Sequence, residues 1–149
     1  MIFNIVVGFI IPWISGIVFY FIDRQTLFII APFQSAIAFT LNSIGLFYGF
    51  WSIYPHKYGK FSTIPFDLGT YPIISVYLIH YINKTKNNPY LLIIIATLCT
   101  TLLEWFGILT GRIIYSNGWN LSFTFISYLI PYLLNYWFYI QLKKMSVFH

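Results

Sequence analysis

Residues 89–111 read PYLLIIIATLCTTLLEWFGILTG, an apolar run interrupted by one carboxylate, Glu104. As a helix this run rises about 1.5 Å per residue, enough to cross the roughly 30 Å of hydrocarbon in a bilayer. A charge inside hydrocarbon costs several kcal/mol, so an acid placed there is by default a functional or helix-bundling group. The chain has only three carboxylates, and Asp67 falls in a second apolar segment.

Working outward, further uncharged runs cover residues 1–22, 25–55 and 113–142, and residues 65–82 are interrupted only by Asp67 and His80. The composition is 59% hydrophobic and 7% charged over 149 residues. These features predict an all-α integral membrane bundle, a single domain over 1–149. Its five spans are expected at about 2–22, 26–51, 65–82, 89–111 and 121–142. Five spans leave no room for a soluble catalytic module, a DNA-binding module or a substantial ectodomain. The N-terminus has neither a basic leader region nor a small-residue cleavage site, so it reads as a retained first span.

The net charge of +5 comes from eight scattered Lys and Arg residues, so no nucleic-acid partner is expected. The expected setting is the lipid bilayer of the cell membrane, crossed several times. Arg24, Lys84, Lys86, Lys143 and Lys144 fall on one face, and Lys57, Lys60 and Arg112 on the other. The richer face tends to stay cytoplasmic, which points to N-out and C-in. Cys99 is the sole cysteine, and His56 and His80 share no ligand spacing with another histidine. No metal or cofactor is therefore expected.

Within the third expected span, Pro65-Phe-Asp67-Leu-Gly-Thr70 precedes Tyr71-Pro72. A helix beginning at Pro72 would rise only about 16 Å by Ile82, half a bilayer. This predicts a span kinked or broken near Pro72. Either the helix starts near Pro65, or residues 65–70 dip into the membrane without helix and Thr70 caps a half-helix.

Helix rise also allows depths to be compared. Counted from the face carrying Lys84 and Lys86, Asp67 and Glu104 both lie roughly 22 Å across, and Asn42 roughly 24 Å. Ser127 enters from the opposite face and lies about 10 Å down. Four spans thus place polar groups at one level, with Arg112 just above. Such groups turn inward and find partners, and the alternative to a ligand site is that they are interhelical adhesive. Two acids against Arg112 leave a deficit of one positive charge, so the layer is expected to hold a proton, bind a cation or an amine, or borrow His56 from the adjoining loop. Trp51, Tyr54 and Trp119 are candidates for an aromatic rim above it, which suits an amine or quaternary ammonium. Asn117 and Gly118 suit a turn, and Asn120 suits a cap on the last span.

Taken in order, Trp51-Ser-Ile-Tyr54-Pro55, Pro65-Phe-Asp67-Leu-Gly69 with Tyr71-Pro72, Glu104, and Tyr115-x-Asn117-x-Trp119-Asn120 form a pattern over residues 20–140. It resembles the small multi-span proteins of spore-forming Gram-positive bacteria, a family described only as hypothetical proteins. The resemblance implies five spans in the cytoplasmic membrane and carries over no activity. The reading favoured by the residues is ligand binding, sensing or an accessory-subunit role, with a homo-oligomer or another membrane protein as partner. Competing readings are an enzyme acting on a lipid or isoprenoid with Asp67 and Glu104 as acid and base, and a small oligomeric transporter.

Overall fold

A computed structural model describes residues 1–148. The chain is mostly helical. Helix α1 spans Ile2–Ile22 and includes a π-helical turn over Val6–Ile10. Helix α2 covers Arg24–Phe47, starting where Asp23 Oδ1 accepts the Thr26 N–H at 3.0 Å. Helix α3 covers Tyr71–Lys84 behind a π-helical turn at Phe66–Thr70. Helix α4 covers Pro89–Leu109, and α5 covers Leu121–Lys144. Of these, α1, α2 and α4 are long and apolar enough to cross a membrane. The chain is a membrane protein on that ground.

Helix α3 occupies the centre. Ile73, Val76 and Ile79 pack with Phe19, Leu27, Ile30 and Tyr139, while Leu78 on the other side packs with Ile93 and Tyr132. A helix enclosed by protein need not match lipid, which is why α3 tolerates Ser75, His80 and Asn83. Helices α1 and α4 take the opposite part: Ile2, Ile14, Phe21, Leu102 and Phe106 are all exposed. Uncovered apolar side chains of this number are the mark of a surface solvated by lipid.

The third expected span is not broken. Backbone remains helical over 64–84, and the irregularity is the π-helical turn rather than a non-helical dip. Proline lacks an N–H and leaves the carbonyl four residues earlier without its helical partner. For Pro72 that carbonyl belongs to Leu68, and the Trp13 indole N–H donates to it at 2.8 Å. For Pro12 it belongs to Gly8, and the Thr70 hydroxyl donates to it at 3.0 Å. Thr70, expected as a cap, therefore serves α1 instead. The two turns lie so close that a Cβ on Gly69 would sit 2.1 Å from the Gly8 oxygen. Only glycine fits that crossing.

The second expected span also ends sooner than residue 51. Helix α2 stops at Phe47, Gly49 adopts φ +65°, and the chain turns into strand β1, Trp51–Ile53. This strand pairs antiparallel with β2, Ile113–Tyr115, in the register Trp51 with Tyr115 and Ile53 with Ile113. The all-α expectation lacked this small sheet. A 3-10 segment, His56–Ser62, follows β1 with a bend at Gly59. Asn117 and Gly118 both take positive φ in the turn after β2, and Asn120 Oδ1 caps α5 by accepting the N–H groups of Ser122 and Phe123.

Candidate functional site

The sheet ties the ends of α2 and α4 together and brings Trp51 and Tyr115 to the bundle. Trp51 lies over Gly45, whose lack of a side chain makes room for the indole ring. Its Nε1–H donates to Asn42 Oδ1 at 3.2 Å, and Asn42 Nδ2 donates to Asp67 Oδ1 at 2.6 Å. Asp67 is completely buried, and its Oδ2 has no hydrogen-bond partner among the described residues.

Glu104 is served from both sides. Tyr115 donates its hydroxyl to Oε1, and Tyr128 donates to Oε2. Behind each phenol stands a further hydroxyl. Thr124 lies 2.6 Å from the Tyr115 oxygen, and Tyr71 lies 3.2 Å from that of Tyr128. The Trp119 Nε1–H donates to Thr124 Oγ1 at 2.8 Å. Two hydrogen-bonded chains thus end on one carboxyl group, whose Oε1 the Thr124 hydroxyl also reaches at 3.3 Å.

A cavity of about 40 Å³ lies between these groups, bordered by Gln34, Asn42, Trp51, Glu104, Ser127 and Tyr128. It is polar enough and large enough for water. A second cavity of about 450 Å³ runs between α1 and α4, with Glu104, Tyr71 and Tyr128 on its inner wall and Arg112 and Phe3 at one end. Its size falls in the range of small-molecule sites. Glu104 borders both.

Three of the residues placed at one depth, Asn42, Glu104 and Ser127, meet at the small cavity, and Asp67 lies behind Asn42. Ser127 forms no hydrogen bond with either acid; its hydroxyl donates to the Thr124 carbonyl at 2.8 Å. The expected balance of Arg112 against the acids is not formed. Among the described residues no carboxylate lies within 4.0 Å of Arg112, and its guanidinium carbon stacks 3.4 Å from the centre of the Phe3 ring. The helix ends at Leu109 and the chain turns at Gly111, so Arg112 leaves the helix face that carries Glu104. Of the expected rim, Trp51 and Trp119 stand together, 4.7 Å between ring centres, over the small cavity. Tyr54 stands apart, beside Arg112 and His56.

The partners of Glu104 were not singled out from the sequence. Thr124 and Tyr128 lie four residues apart and so share a helix face, a pattern available in principle. Tyr115 reaches Glu104 only through the sheet, which carried no sequence signal. Among the described residues no three His, Cys, Asp or Glu side chains gather as a metal site would require. Comparison with family models, with curated proteins and with solved structures returned no match.

Proposed function

We propose that the chain is a five-span protein of the cell membrane, N-terminus out and C-terminus in, that binds a small polar or cationic ligand at Glu104 as a receptor or accessory subunit. The observation that carries this reading is the position of Glu104 between two cavities. Hydroxyl donors meet both of its oxygens, yet no cationic side chain lies within 4.0 Å among the described residues. A cation or a strong donor arriving through the larger cavity supplies the missing complement. Trp51 and Trp119 stand above the inner cavity, and aromatic faces favour such ligands. Four helices of 21 or 24 residues, with the helical stretch 64–84 as the fifth, support the span count. The five-to-three distribution of Lys and Arg supports the orientation.

Native mass spectrometry of gently purified protein tests it, with wild type beside Glu104→Gln and thermal unfolding recorded in parallel. The reading expects a bound small molecule on the wild type and its loss from the variant while the fold holds. An unliganded wild type, together with a sharply destabilised variant, would make Glu104 a structural adhesive instead.

A further inference from the structure

The larger cavity has a feature that the site at Glu104 does not use. Its walls are apolar and open to the lipid side: Leu103 is 58% exposed and Phe106 is 65% exposed. At the end nearest the sheet stands Arg112, half-buried and without an acidic partner among the described residues. The backbone around it is fixed, since Arg112 N–H donates to the Gly107 carbonyl at 2.8 Å and its carbonyl accepts the Tyr54 N–H at 2.7 Å. Phe3 covers one face of the guanidinium, and its N–H donors meet no hydrogen-bond partner among the described residues. A rigid fork of this kind matches a phosphate.

The depth agrees with the chemistry. Phe3 lies at the start of α1, and Arg112 lies three residues beyond the end of α4, so both stand at the edge of the apolar layer where lipid headgroups begin. Below them the cavity continues along α1 past Val7 and along α4 to Leu103 and deeper. A cation at headgroup level above a lipid-facing apolar cleft is the geometry that receives an anionic lipid. We propose that the cleft between α1 and α4 binds one anionic phospholipid of the bilayer, phosphate on Arg112 and one acyl chain between Val7 and Leu103. The lipid would occupy the outer part of the cleft whose inner wall carries Glu104, and it is held by Arg112 rather than by that acid.

The test uses full-length protein in mixed vesicles of phosphatidylglycerol and phosphatidylcholine at equal proportion, released directly into a native mass spectrometer. One phosphatidylglycerol adduct should be retained over phosphatidylcholine by about tenfold, the scale of one charge-assisted contact. Arg112→Gln should bring the two lipids to parity, and Arg112→Lys should keep part of the preference because it keeps the charge. Leu103→Trp, at an exposed position, should reduce both adducts by filling the cleft. A phospholipid and a small polar ligand differ in mass, so the same spectra separate this result from failure of the ligand reading. Equal retention of the two lipids by the wild type would overturn the proposal. So would an unchanged preference in Arg112→Gln, or a stable dimer that covers the cleft and carries no lipid.

Discussion

Asp67 and Glu104 lie on neighbouring helical segments, yet the bundle treats them in opposite ways. Asp67 is sealed: it has one amide donor, from Asn42, and its second oxygen faces no partner among the described residues. Glu104 is half-buried, met by donors on both oxygens, and borders two cavities. The difference arises from the backbone around each acid. Asp67 lies in the π-helical turn pressed against α1 at the Gly8–Gly69 crossing, where Gly69 has no space for a side chain. Glu104 lies on α4, which stands away from α1 and leaves the cleft between them. A carboxyl group with no access can only hold the fold together, whereas one beside open volume can also meet a ligand.

The comparison breaks most directly at the crossing. Gly69→Ala places a methyl group against the backbone of α1 and should destabilise the protein by about 3 kcal/mol, because backbone cannot rotate aside as a side chain does. Thermal unfolding in detergent measures this, and an unchanged melting temperature would mean that the two turns are not in contact. Next in size, Asn42→Leu removes the amide donor to Asp67 and should cost about 2 kcal/mol. Pairing it with Asp67→Leu in a double-mutant cycle should recover most of that loss, since an apolar pair needs no donor.

At Glu104 the effects on stability should be smaller, because several donors share one acceptor. Tyr115→Phe should cost about 1 kcal/mol and leave the carboxyl group held through Tyr128. If Tyr115→Phe instead matched Asn42→Leu in cost, the contrast between a sealed and an accessible acid would fail.

The third acid supplies the mildest test, outside the spans. Asp23 lies in the turn between α1 and α2, where His80 Nδ1 stands 2.7 Å from Oδ2 and Thr26 donates through both backbone and hydroxyl. Partial burial pushes its pKa up, but the hydrogen bonds from His80 and Thr26 outweigh it and hold the carboxyl below its ordinary 3.8. The unfolded chain then takes up the proton more readily than the folded one. The contribution to stability is complete above the ordinary carboxylate range and fades as pH falls through the lowered folded value. Melting temperatures of wild type and Asp23→Asn should differ slightly at neutral pH and converge in acid.

Much of the helical plan was legible because lipid imposes a simple demand: apolar side chains in long runs, with backbone groups satisfied inside the helix. Residues 1–22 and 89–111 met it almost to the residue. Legibility failed where the chain stops being a simple cylinder. Residues 48–51 are as apolar as the helix before them, so composition could not reveal the turn at Gly49 or the pairing of Trp51 with Tyr115. Pro72 read equally well as a kink or a break. The outcome depended on Trp13, an indole donor from another helix that meets the orphaned Leu68 carbonyl.

Counting along helices brought Asn42, Glu104 and Ser127 to one level, since rise per residue is nearly constant in any helix. Which way each side chain turns is a matter of rotation about the helix axis and of neighbours far away in sequence. That is why Arg112 was paired in expectation with Glu104, two turns away, and instead lies on Phe3 from the other end of the chain. Membrane residence, the helical segments and the scarcity of charge follow from local composition and the cost of burying polar groups in hydrocarbon. The separation of a sealed Asp67 from an open Glu104, the small sheet and the cleft beside Arg112 arise only when the helices pack. They depend on contacts between residues dozens of positions apart, and local composition carries no record of those.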